Sequence, residues 1–164
     1  MSAFPFWKIA LFCIYSFLLF LIGGIDTVTY FANGKKYGTI PDSLCILLAV
    51  FGFLMVPINS KVNFSYIFSA ISALAAGTGM LLLRWISEKI FKRATLGLAD
   101  VKMTAALALF LGWTGTLHAF FLACVLGISV IGFGIGTKKF SRESPLPFGP
   151  FLSAATFLVL LLTL

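Results

Sequence analysis

The acid–base side chains available to this 164-residue chain include five carboxylates: Asp26, Asp42, Glu88, Asp100 and Glu143. Asp26 follows Gly23-Gly24-Ile25 at the end of one apolar run, and Asp100 follows Gly97-Leu98-Ala99 at the start of another. A carboxylate costs about 2.5–3.5 kcal/mol at the centre of a bilayer-spanning helix, and less near its ends. Two of them brought together at such a boundary would share a proton, because both cannot ionise cheaply. One would act as base on a water, while the other would protonate or polarise a carbonyl. Each also has a plain structural reading. Asp100 opens a helix, where a carboxylate favours the dipole and caps free N–H groups. Asp42, between Pro41 and Ser43, is also a natural helix start.

Other chemistries fit poorly. His118 is the single histidine, so there is no HExxH pair, and no metal site or cofactor is expected. Gly127-Ile128-Ser129 is followed by Val130 and not by glycine, which speaks against a nucleophilic serine. Cys13, Cys45 and Cys124 each lie alone in an apolar stretch and read as small buried hydrophobes.

These candidates must be carried by membrane-spanning elements. Hydrophobic residues make up 60% of the chain and charged residues only 10%, against roughly 25% charged in a soluble domain. An ordinary cytosolic enzyme, a disordered tail and a disulfide-stapled module are thereby excluded. The expectation is an all-α polytopic membrane protein forming a single domain over residues 1–164. A span needs about 20 apolar residues. Six candidates cover residues 5–25, 43–58, 64–85, 100–113, 116–137 and 150–164. The first follows a single Lys8 with no small-residue cleavage site, so it reads as a retained span.

Loop charge sets an expected orientation. Lys35 and Lys36 lie in the first connection, and Arg84, Lys89, Lys92 and Arg93 in the third, with Lys102 just beyond. Lys138, Lys139 and Arg142 lie in the fifth, which places ten of the twelve basic residues on one side. Lys8 and Lys61 fall on the other. The positive-inside rule makes the first set cytoplasmic and puts both termini outside. The net charge of +7 then points to anionic lipid and not to nucleic acid. Small residues at four-residue spacing, Ala73 and Gly77, Ala108 and Gly112, Gly132 and Gly136, with Ala105 beside them, would let helices approach closely. Pro147-Phe148-Gly149-Pro150 cannot continue a regular helix and reads as a turn near the aspartates.

The segment Gly97-Leu98-Ala99-Asp100-Val101-Lys102 resembles the GxGDxK motif of the type IV prepilin peptidases, membrane aspartyl proteases of the GxGD type. The alanine- and leucine-rich run 105–113 is similar to the helix that this motif opens in the family. Pro147-Phe148-Gly149-Pro150-Phe151-Leu152 matches the family's PFGPFL signature, and Ile40-Pro41-Asp42 is similar to its IP[ND] element. The resemblance implies that Asp26 and Asp100 are catalytic. The long connector before Pro41, with an inserted turn suggested at Asn33-Gly34-Lys35-Lys36, leaves Asp42 as the alternative first aspartate. Gly97, Ala99, Lys102, Pro147, Phe148, Gly149 and Pro150 would shape the site or touch substrate.

The implied activity is removal of a short basic leader from prepilin-like precursors, commonly after a glycine. The site would face the cytoplasm from a multi-pass protein of the inner membrane. Larger family members carry a cytoplasmic domain with paired CxxC motifs and methyltransferase activity. Nothing in this sequence corresponds to it, so cleavage without methylation is expected. Ala99 replaces the second glycine of GxGD, which motivates an alternative reading as an inactive scaffold that binds pilin-like helices. A proton- or cation-coupled transporter is a further alternative, weakened because the carboxylates lie at one face and not at the midplane.

Overall fold

The computed structural model describes residues 6–33, 40–56, 66–92, 96–136 and 147–163. Among these residues the architecture is helical, as expected: α1 (Phe6–Ala32), α2 (Asp42–Leu54), α3 (Tyr66–Phe91), α4 (Leu98–Gly136) and α5 (Gly149–Thr163). Three stretches, Ile9–Ala32, Tyr66–Phe91 and Leu98–Phe133, are long and apolar enough to cross a membrane, and Asp42–Leu54 and Gly149–Leu162 are shorter apolar helices. The described residues thus form five helical elements, the fourth of which joins two helices across a break.

The break in the fourth falls at Gly112. The segments read as 100–113 and 116–137 are two helices that meet directly there, where Gly112 takes the non-helical φ 68° and ψ −178°. Thr116 Oγ1 donates to Gly112 O at 2.7 Å, so the turn after the break is hydrogen-bonded back to it. The polar-looking Trp113-Thr114-Gly115-Thr116 stretch forms the first turn of the second of these helices instead of a loop.

Two further boundaries differ. The first helix does not end at Ile25 but runs to Ala32, so Asp26 lies within it. Thr27 Oγ1 donates to Gly23 O and Thr29 Oγ1 to Ile25 O, each at 2.8 Å, so these hydroxyls are satisfied by the helix's own carbonyls. The third helix extends to Phe91. Its last turns are held by an Arg84–Glu88 ion pair of 2.8 Å and by Lys89 Nζ, 3.9 Å from the centre of the Trp85 ring. Lys92 then turns the chain out with φ 52°. Lys35, Lys36, Lys61, Arg93, Lys138, Lys139, Arg142 and Glu143, and the inserted turn expected at 34–36, lie outside the described residues.

The chain divides into two compact units, one formed by Met1–Leu18 with Pro41–Thr116, the other by Leu19–Ile40 with Leu117–Leu164. In the first, Tyr15, Leu48, Met103 and Leu107 are fully buried. The Tyr15 and Phe110 rings meet at 5.4 Å. Helices α3 and α4 come close where a Cβ on Gly77 would sit 3.4 Å from Ala105 Cβ, and Ser69 Oγ donates to Leu109 O. The small residues there pack as expected. In the second unit, Leu19, Ile22, Leu152 and Leu160 are buried, and Phe20 meets Phe157 at 5.1 Å. Among the described residues nothing lies within 4 Å of a Cβ placed on Gly132, so they show no close approach there. Large apolar side chains such as Ile67, Leu74, Phe133 and Leu162 point outward. Cys13 is exposed and not buried, while Cys45 is buried and Cys124 half-buried.

Candidate functional site

Asp26 belongs to the second unit and is only 4% exposed. Its carboxylate meets the first turn of α5. The Gly149 backbone N–H donates to it, and a Cβ on Gly149 would lie 2.6 Å from Asp26 Oδ2. Where a turn was expected over Pro147-Phe148-Gly149-Pro150, the chain bends at Phe148, and Gly149 and Pro150 already belong to α5. Phe148 precedes the helix and meets Phe120 at 5.8 Å between ring centres. Leu152 N–H donates to Phe148 O at 3.1 Å, and Pro150, second in the helix, has no N–H to leave unpaired. Pro147, Phe148 and Pro150 are half-buried, and Gly149 is buried.

Asp100 belongs to the first unit, is 8% exposed and is the third residue of α4. It too has a carboxylate oxygen set against a glycine: a Cβ on Gly97 would lie 3.1 Å from Asp100 Oδ2. Thr104 Oγ1 donates to Asp100 O at 2.7 Å, one turn along. Ala99 is helical, and among the described residues the one non-glycine with positive φ is Lys92. The departure from GxGD thus falls where alanine is conformationally at ease.

Asp42 opens α2 directly after Pro41. Lys102 Nζ lies 2.7 Å from Asp42 Oδ1 and 2.8 Å from Oδ2. Two residues along a helix are about 200° apart, so Lys102 faces away from Asp100 and towards α2. The lysine of the GxGDxK-like segment and the aspartate of the IP[ND]-like segment therefore meet each other. Both are largely exposed. Beside them, an apolar groove of about 400 Å³ opens between α2, α3 and α4, lined by Ala49, Ala73, Ala105 and Leu109 among others.

Two residues near Asp26 were not singled out from the sequence. Gly23 lies one turn before it, and a Cβ there would sit 3.0 Å from Ser153 Oγ. Ser153 Oγ in turn donates to Gly149 O at 2.9 Å. The signal was the Gly23-Gly24 pair with Gly23 three residues before an aspartate, the spacing that puts two residues on one helix face.

A family model described as the type IV leader peptidase family matches residues 13–132. The chain is 31% identical over 135 residues to leader peptidase HopD of Escherichia coli, covering 81% of this chain and 85% of that protein. It is 31% identical over 124 residues to a prepilin leader peptidase/N-methyltransferase of Burkholderia pseudomallei, covering 75% of this chain and 39% of the relative. A protein of that same description from Pectobacterium carotovorum is 29% identical over 114 residues, with 70% of this chain and 40% of the relative covered. The chain thus spans about two-fifths of the length of these longer relatives. No solved structure matches. The matched stretch holds Asp26, Asp42 and the whole 97–102 segment in order, and the chain belongs to the type IV leader peptidase family.

Proposed function

We propose that this membrane peptidase is an aspartyl endopeptidase that removes the short basic leader from prepilin-like precursors, with Asp26 and Asp100 as its catalytic pair. One observation carries the choice of residues. Among the described acidic side chains, Asp26 and Asp100 are buried on long apolar helices, each with an oxygen against a glycine. Asp42 is largely exposed and paired with Lys102, and Glu88 is paired with Arg84 at the helix surface. Burying a carboxylate on such a helix is expensive, and side chains that bear this cost mark function.

In the reaction, the ionised aspartate takes a proton from water and the resulting hydroxide forms a bond to the peptide carbonyl carbon. The protonated aspartate gives its proton to the carbonyl oxygen. Collapse of the tetrahedral intermediate breaks the C–N bond: the departing amine takes a proton from the first aspartate, and one hydroxyl of the intermediate returns its proton to the second as the new carboxyl C=O forms. Asn at either position keeps the shape and loses the proton transfer.

The site faces the cytoplasm from the inner membrane in this reading. The two helices of α4, one on each side of Gly112, supply one crossing each in this reading, which makes six crossings. A straight helix of its 39 residues would be about 58 Å long, roughly twice the apolar thickness of a bilayer. Basic side chains hold anionic lipid and not nucleic acid, and the precursor's apolar helix is recognised by packing more than by long-range charge. Ala99 no longer favours the scaffold alternative, because its helical backbone needs no glycine. The test is incubation of purified protein with a prepilin-like precursor whose basic leader ends in glycine. A product shortened by the leader is expected, whereas binding without cleavage would favour the scaffold.

A further inference from the structure

Resting on the reading of Asp26 as catalytic, we infer that Gly23, Gly149 and Ser153 are positioning residues that fix the direction of the Asp26 carboxyl group. All four residues lie in the second unit, on α1 and the first turns of α5. Three contacts carry the inference.

The first is between Gly149 and Asp26. A Cβ on Gly149 would lie 2.6 Å from Asp26 Oδ2, 3.1 Å from its Cγ and 3.3 Å from its Cβ. The clash would involve the whole aspartate side chain, not a flexible far end. Aspartate has only two side-chain torsions and its Cβ is fixed by the helix, so it can escape only by changing rotamer. That change would take the carboxylate off the Gly149 N–H, which now donates to it.

The second contact holds Gly149 in place. Ser153 Oγ donates to Gly149 O at 2.9 Å, and Ser153 is 3% exposed. The third brings that turn against α1. A Cβ on Gly23 would sit 3.0 Å from Ser153 Oγ and 3.3 Å from both Ser153 Cβ and Pro150 Cα. Gly23 and Asp26 are three residues apart and share a helix face, so the absence of a side chain at one lets α5 reach the other. Gly24, the neighbouring glycine, has nothing within 4 Å. The need for glycine is thus confined to the α5-facing side.

The experiment compares kcat, KM and thermal stability in detergent for Gly149→Ala, Gly23→Ala, Gly23→Ala/Ser153→Ala, Gly24→Ala and Asp26→Asn. Gly149→Ala is expected to lower kcat by about tenfold to a hundredfold with KM little changed, since misplacing a reacting group by a fraction of its contact distance has that effect. Gly23→Ala is expected to lower kcat less, and adding Ser153→Ala should restore part of it by removing the nearest clashing atom. Gly24→Ala should leave all three quantities unchanged. If Asp26→Asn cleaves like the parent, the catalytic reading fails. If Asp26→Asn is inactive while Gly149→Ala keeps the parent kcat, the positioning role alone is overturned. An activity-independent measurement covers the case in which Gly149→Ala does not fold. In protein labelled with 15N-glycine and otherwise unsubstituted, the Gly149 amide resonance should move on Asp26→Asn while that of Gly132 stays. An unmoved Gly149 resonance would overturn the inference.

Discussion

Lys102 and Asp42 are bound to each other by two contacts of 2.7 and 2.8 Å, yet both side chains are more than half exposed. An exposed pair of this kind is worth at most about 1 kcal/mol. Asp42→Asn, which also keeps a good residue for a helix start, should leave cleavage within about fivefold of the parent, as that magnitude dictates. Cleavage assays at matched expression check this, and an inactive Asp42→Asn beside an active Asp26→Asn would move the first catalytic role to Asp42. Ala99 gives a second expectation. Restoring the family's glycine by Ala99→Gly should not raise activity and should lower stability by about 0.5–1 kcal/mol, the usual cost of glycine in a helix. Thermal unfolding in detergent and a parallel cleavage assay check both halves. At this scale the sequence was informative about identity and less so about contact. The motif residues Asp100, Lys102, Asp42 and Gly149 were all legible. That Lys102 turns to Asp42, or that Gly149 abuts Asp26, depends on helix phase and on packing between segments far apart in the chain.

Helix ends are where the sequence pattern and the structure part. Gly23-Gly24 shortly before an aspartate looked like a terminus, but the threonines after it bond to their own helix and α1 continues to Ala32. The charged stretch after Trp85 looked like a loop, but pairs at helical spacing keep it helical to Phe91. In both places local side-chain bonding outweighs composition, which a hydropathy pattern does not register. Gly112 shows the reverse. Its φ of 68° with ψ of −178° lies in a region essentially reserved for glycine, so one residue separates two helices that composition divides by a few polar side chains. Gly112→Ala should therefore cost about 1–3 kcal/mol. Gly132→Ala, with open space around it and helical backbone, should be neutral or stabilising by up to about 1 kcal/mol. Differential scanning fluorimetry of the two variants separates them, and equal effects would deny Gly112 its special role.

For the whole molecule, the all-helical membrane class followed from composition, because a chain with 60% hydrophobic residues has too little polar surface to face water. The kind of break at Gly112 did not follow, because a kink and a loop are alike in hydropathy. If α4 crosses the bilayer on both sides of Gly112, then Trp113 and Lys89 lie at opposite faces. With Cys13, Cys45 and Cys124 replaced by Ser, an impermeant thiol reagent added to intact spheroplasts should label Trp113→Cys and spare Lys89→Cys. Labelling of Lys89→Cys alone would invert the proposed orientation. Everything proposed for the chemistry depends on Asp26 and Asp100 performing the cleavage together. The direct check is the processing of a co-expressed prepilin-like precursor by the parent, Asp26→Asn and Asp100→Asn at matched membrane levels and matched thermal stability. Each substitution is predicted to reduce processing by about a hundredfold or more, the scale of a lost proton-transfer group. Parent-like processing by either variant would contradict the aspartyl mechanism.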